Sequence, residues 1–139
     1  LAKAALYAGA KLLMDKAGIS QVDKIRFAGA FGSHIDVKYA MALGLIPNCN
    51  INEVTSAGNA ASTGARIALL DSESRKEIES AVTQIEKIET ATEPLFQDYF
   101  VKAMSIPHKS DDFSELKKIF KLPKMTKGEI RSKRKRRRN

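Results

Sequence analysis

Ile25-Arg26-Phe27-Ala28-Gly29-Ala30-Phe31-Gly32 and Val54-Thr55-Ser56-Ala57-Gly58-Asn59-Ala60-Ala61-Ser62-Thr63-Gly64-Ala65 decide the reading of this chain. Each reads as the end of a strand, a turn of tiny residues, then a helix. Small residues at a strand-to-helix turn let a ligand or another backbone come close, because no bulky side chain blocks the approach. Two such turns in consecutive α/β units can face each other across one sheet edge and form two walls of a cleft. A nucleotide-type site is therefore the first function to weigh. The first turn is neither a Walker loop nor a dinucleotide fingerprint, since the lysine and the glycine spacing of those motifs are absent.

On the N-terminal side of these turns, residues 1–17 read as a helix whose stripe is Leu6, Ala10, Leu13 and Ala17, widened by Ala5, Ala8 and Leu12. Gly18 stops it. Asp23 to Ala28 reads as a short strand buried on both faces. Ser33 or Asp36 can cap a short helix through about Leu43, which Gly44-Leu45-Ile46-Pro47 ends. Asn52 to Ala57 reads as a second strand. Asn59 to Leu70 reads as an alanine-rich helix, closely packed through Ala60, Ala61, Gly64 and Ala68. Ser74-Arg75-Lys76-Glu77 has the form of a capping box, opening a helix with Ile78, Val82 and Ile85 on one face. Lys87 to Ala91 reads as extended. Pro94 precedes a helix with an apolar face of Phe96, Tyr99, Phe100 and Ala103, broken at Pro107. Phe113, Leu116, Ile119 and Phe120 suit one more short helix before Pro123. The class is α/β with a helical C-terminal appendage.

Composition narrows the rest. The chain of 139 residues is long enough for one domain with a real core. It has no apolar run fit to cross a membrane and no secretory signal pattern. It opens at Leu1 rather than methionine, and a piece of a longer polypeptide is expected. The single cysteine, Cys49, excludes an internal disulfide or a thiolate cluster and suits a cytoplasmic setting. Cys49 reads as a small residue half-buried in a turn rather than a reactive thiol. The net charge of +8 is unevenly spread. Residues 127–139 carry +7, so the body is nearly neutral. A disordered basic tail is expected there.

Several clusters in one order are similar to a known family. They are Phe27–Gly32, Ala42-Leu43-Gly44-Leu45-Ile46-Pro47, Gly58–Ala65, Ile88-Glu89-Thr90-Ala91, Phe96-Gln97-Asp98-Tyr99-Phe100 and Ile106-Pro107-His108. Together they resemble the C-terminal part of the reductive activators of corrinoid proteins, over roughly residues 1–108. The resemblance implies a fragment of an actin-like (ribonuclease H-like) ATPase domain, of the acetate and sugar kinase, heat-shock chaperone and actin superfamily. Full-length members pair that ATPase with an iron–sulfur domain and use ATP to drive reduction of cobalt(II) corrinoid to cobalt(I), so that methyl transfer resumes. By that carry-over Gly29, Ala30, Phe31 and Gly32 border the adenine and ribose, and Gly58, Asn59 and Ala60 border the same pocket from the next unit. Ser62 stands where family members often have glycine. The phosphate loops with their magnesium ligands, and the cluster cysteines, do not occur here, so the fragment alone is expected to be catalytically inactive.

The implied organisation is a subdomain over 1–108, a helical appendage or linker over 109–126, and the basic tail over 127–139. ATP with magnesium would be the cofactor and a corrinoid protein the partner. The competing reading of the same chain is a non-enzymatic α/β interaction module whose basic tail binds nucleic acid or an acidic partner. Asn59 reads equally as a ribose or adenine contact and as a helix cap. His34 reads as a solvated residue at a helix start, and neither it nor His108 has a second ligand to make a metal site. Asp111 and Asp112 read as solvated linker residues. The Arg131–Arg138 run reads as a plain flexible tail, a polyanion contact or a docking segment for an acidic partner.

Deleting residues 127–139 should leave the melting temperature within about 2 °C of the parent, since a polycationic tail has little to bury. Binding of the chain to an arbitrary DNA duplex at low salt should disappear with it. A large drop in melting temperature would instead show that the tail packs on the body.

Overall fold

A computed structural model of the chain describes residues 1–106, 108–119 and 121. Expectations for Pro107, Phe120, Pro123 and the basic tail fall outside them. The elements are helix α1 (Ala2–Lys16), strand β1 (Ile25–Ala28), helices α2 (Ala30–Ser33) and α3 (Val37–Ala42), a 3-10 turn (Ile51–Glu53) and strand β2 (Val54–Gly58). Helices α4 (Ala60–Leu70), α5 (Ser72–Thr83), α6 (Phe96–Ala103) and α7 (Ser114–Ile119) complete the order. β1 and β2 pair in parallel, Ile25 opposite Val54 and Ala28 opposite Gly58, with an irregularity between Phe27 and Ala28. Parallel neighbours require a crossover, here through α2 and α3.

The punctuation is local chemistry. Gly18 and Gly44 end α1 and α3 at φ +67° and +68°, a left-handed region that glycine enters without strain. Asp36, not Ser33, caps α3, its carboxylate accepting from the backbone N–H of Lys38 at 2.9 Å and Tyr39 at 3.3 Å. The expected capping box at Ser74 is displaced. Asp71 caps α5 by accepting from Glu73 N–H at 3.1 Å, and the Ser74 hydroxyl donates to the other carboxylate oxygen at 2.6 Å. These bonds hold the Asp71 carboxyl below its usual range.

The core lies between the α1–α6 pair and the α3–α7 pair. It holds Ala4, Tyr7, Ala40, Met41, Ile46, Cys49, Val54, Ala103, Phe113 and Leu116. The α1–α6 contact is clamped at both ends. Lys3 Nζ donates to the carbonyls of Ala103 at 2.6 Å and Ser105 at 2.8 Å, while Lys16 pairs with Glu93 at 2.6 Å. The α7 helix is tied in from a distance. Asn48 accepts from Glu115 N–H and donates to the Ser114 hydroxyl, both at 3.1 Å.

Four burial expectations are corrected. The inward face of α1 is Ala4, Tyr7, Ala8, Leu12 and Met14, because α6 covers that side; Leu6 and Leu13 stay 58% and 57% exposed. β1 alternates half-buried and exposed instead of being buried on both faces, since nothing described lies over Arg26 and Ala28. On the small-residue face of α4, Gly64 and Ala68 are half-buried but Ala60 and Ala61 are exposed, as are Ile78, Val82 and Ile85 on and beyond α5. Cys49 is fully buried rather than half-buried, its thiol donating to the Asp23 carbonyl at 3.5 Å, and burial pushes its pKa up.

Asp111 is not a solvated linker residue. It accepts from the Tyr7 hydroxyl at 2.5 Å, and the His108 ring lies 4.6 Å from the Tyr7 ring. His108 Nδ1 accepts from the backbone N–H of Ser110 at 3.3 Å and Asp111 at 3.0 Å, which requires the neutral ring; its Nε2 is buried without a partner among the described residues. Burial lowers the His108 pKa, although the Asp111 charge pulls the other way. Burial opposes ionisation of Asp111, but the Tyr7 hydroxyl and the neighbouring His108 and Lys11 hold its carboxyl below the usual range.

These shifts fix a pH profile. The neutral His108 contributes stability that is complete above its ordinary pKa of about 6.5 and is lost as pH falls toward the folded value. Asp111 contributes stability above about 3.9 that is lost on further acidification. Melting temperature should fall between about pH 7.5 and pH 5, and His108→Gln should flatten that limb while starting from a lower plateau. A profile of the parent that is flat across this window would show that His108 titrates alike in folded and unfolded chains.

Candidate functional site

Parallel pairing places the ends of β1 and β2 side by side, so the two glycine turns meet at one sheet edge. Gly29 N–H donates to the Gly58 carbonyl at 2.7 Å. A second set of bonds closes the ring. Gly58 N–H donates to the Ser56 hydroxyl at 3.2 Å, Ser56 donates to Ser33 at 3.3 Å, and Ser33 donates to the Gly29 carbonyl at 3.2 Å. Each turn is thus fixed by the other, through a strand residue and a helix residue. Sequence reading gave Ser56 no role and Ser33 only a capping one; their spacing to the glycines was the available signal.

The seven expected site residues divide by what surrounds them. Gly29 and Gly58 have φ +91° and +59°, and a Cβ built on either meets nothing within 4 Å. Both therefore satisfy a left-handed turn and leave open space in front of the backbone. Gly32 differs. It is buried, and a Cβ there would lie 2.5 Å from Phe27 Cβ, so its bareness serves the close packing of α2 on β1. Ala30 and Ala60 are exposed at the starts of α2 and α4. Phe31 lies within α2. Asn59 caps α4, its side-chain oxygen accepting from Ser62 N–H at 3.0 Å. That assigns the amide's orientation and leaves its NH2 free of partners among the described residues.

The edge offers hydroxyls, one amide and backbone groups. His34 is exposed just beyond α2 and donates from Nδ1 to the Ala30 carbonyl at 2.9 Å. Among the described residues no three His, Cys, Asp or Glu side chains converge to hold a metal ion. Among them, too, no helix is long and apolar enough to cross a membrane.

A second concave feature runs beside β1 and reaches Gly32. It is an apolar groove of about 740 Å³ between α1 and β1. The outward residues of the α1 stripe, Leu6, Ala10 and Leu13, line it together with Lys24–Ala28 and Ile35 and Leu45.

Comparison with known proteins agrees with this architecture. The model of the C-terminal domain of RACo, the ASKHA domain, matches residues 1–117. The corrinoid activation enzyme RamQ of Eubacterium limosum is 43% identical over 104 residues, which cover 73% of this chain and 17% of that protein. A solved structure of a reductive activator for a corrinoid, iron-sulfur protein superposes with a TM-score of 0.70 at 32% identity, covering 78% of this chain and 18% of that one. The chain thus spans less than a fifth of either relative. With its parallel pair, its two glycine turns and its matched residues 1–117, the chain belongs to the family of the RACo C-terminal domain and carries a fragment of the actin-like ASKHA fold.

Proposed function

We propose that this chain supplies the adenosine-facing wall of an ATP-dependent activator of corrinoid proteins. The observation that carries the reading is the bonded ring of Gly29, Ser33, Ser56 and Gly58, with open space before both glycines. A rigid, bare backbone edge accepts a flat ring without first reorganising. The nearby donors and acceptors are neutral, which suits a nucleoside better than phosphates. The free NH2 of Asn59 is placed to donate to a ribose hydroxyl or an adenine nitrogen.

The activator role rests on the relatives, both of which are corrinoid activators by name. In this reading the phosphate and magnesium ligands belong to the remainder of the family's polypeptide, as does an iron–sulfur domain. ATP there supplies the driving force for reducing cobalt(II) corrinoid to cobalt(I). This chain's residues bind and orient the nucleoside, and closure around it is coupled to docking of the corrinoid protein. Nucleotide can bias closure only by its difference in affinity for the two states. The setting is cytoplasmic, in line with the lone, buried Cys49. Arg131–Arg138 would add a salt-sensitive polyanion contact outside this site.

The test uses a chimera in which residues 1–117 replace the matching segment of the E. limosum relative. Gly29→Val mixes bulk with backbone strain at φ +91°, so Ala60→Phe is the cleaner change. Ala60 is exposed and helical, and the larger side chain enters the nucleoside's space without straining the turn. ATP affinity by calorimetry should fall at least tenfold, about 1.4 kcal/mol, with the melting temperature unchanged. Lys38→Ala should leave affinity as it was. A folded Ala60→Phe chimera that binds ATP like its parent would reduce the two turns to connections.

A further inference from the structure

The hydroxyls of Ser33 and Ser56 link the two glycine turns, and their hydrogens are already committed. The chain of bonds runs from Gly58 N–H to Ser56, from Ser56 to Ser33 and from Ser33 to the Gly29 carbonyl. A backbone N–H can only donate and a carbonyl can only accept, so the two ends fix the direction of every bond between them. Ser56 takes a hydrogen from Gly58 and must give its own to Ser33. Ser33 takes that one and must give its own to Gly29. Neither hydroxyl has a hydrogen left for a ligand, while each oxygen keeps one lone pair. Both serines are exposed, so those lone pairs are open to whatever lies against the edge.

The consequence is chemical selectivity. A free serine hydroxyl rotates to suit a donor or an acceptor alike. A serine held in a one-way chain does not. Turning either hydroxyl toward an acceptor breaks a bond of the chain and leaves Ser33 or the Gly29 carbonyl without its donor. Successive bonds in such a run also polarise one another, which strengthens the acceptors along it. Purine bases differ in just this respect. Adenine carries an amino group at carbon 6, a donor, and a bare nitrogen at the neighbouring N1. Guanine and hypoxanthine carry an oxygen at carbon 6, an acceptor, and an N–H at N1.

We infer that Ser33 and Ser56 select a 6-amino purine over a 6-oxo purine, by offering only acceptors to the edge of the base. The inference rests on the reading of this edge as the nucleoside wall, and adds the groups that choose the base. Asn59 works in the opposite sense, since its NH2 can only donate and suits a bare ring nitrogen. The two serines take no part in the chemistry at the phosphates; they determine specificity.

The test compares ATP with ITP, the hypoxanthine nucleotide, by calorimetry on the chimera described above. The parent chimera should bind ATP roughly tenfold more tightly, because an acceptor set against a lone pair forfeits its hydrogen bond. Ser33→Ala removes the oxygen that holds the Ser56 hydrogen and frees that hydrogen. ITP affinity should then rise, and the ATP-to-ITP ratio should fall to about threefold or less. Ser56→Ala should lower the ratio from the other side, by weakening ATP while ITP stays as it was. Ser33→Thr keeps the hydroxyl and should keep the parent's ratio. Damage to the turns alone would weaken both nucleotides together and leave the ratio intact. Equal affinities in the parent, or a ratio that neither alanine variant moves, overturns the inference. Ala60→Phe separates it from the reading beneath. If that change weakens ATP and ITP together while the serine variants leave their ratio alone, only the base selection falls. A folded chimera in which Ala60→Phe alters neither affinity, or which binds neither nucleotide, overturns both.

Discussion

One hydrogen bond organises this molecule. Gly29 N–H reaches the Gly58 carbonyl at 2.7 Å, just past the point where the register of β1 and β2 becomes irregular. The irregularity lets the chain leave the ladder, and the bond keeps the two departing turns together. Both glycines adopt positive φ there, so neither turn tolerates a side chain without strain. The serine relay through Ser56 and Ser33 then ties the end of α2 to β2. Without that pairing, the two turns would be separate loops and no common edge would exist.

The second constraint is the junction of α1 with a segment far along the chain. Lys3, Tyr7, Asp15 and Lys16 all hold partners between Glu93 and Asp111. Such contacts are costly in chain entropy and are formed by side chains spaced along one side of α1. They explain why that side faces inward, and why the neighbouring leucines do not. The same choice creates the apolar groove. What looks like a misplaced hydrophobic stripe is two stripes, one covered by α6 and one lining the groove beside β1.

Much of this was legible in the residues themselves. Glycine positions announced the turns and helix ends, because left-handed backbone leaves few alternatives. The parallel α/β order followed from them. Capping was harder to read. Ser33 and Ser74 are reasonable caps by type, but Asp36 and Asp71 outcompete them through charge-assisted bonds to backbone N–H. Burial was least legible, since it depends on which neighbour is present. Leu6, Ile78 and Val82 carry apolar periodicity yet stay exposed among the described residues. Of the candidate site, Gly29, Gly58 and Asn59 could be picked out by residue type. Gly32 could not be told apart from them, because a glycine that faces open space and one packed against a phenylalanine look identical in sequence.

Gly32 and Phe27 also constrain each other. The space denied to a Cβ at position 32 is space already held by the Cβ of Phe27. The two positions draw on one shared volume, so they are not free to drift independently. An alanine at position 32 is admissible only where the strand shifts or residue 27 surrenders its own first carbon. Among sequences of this family, variation at 32 should therefore travel with variation at 27, whereas Gly29 and Gly58 answer to the backbone and to whatever occupies the open edge.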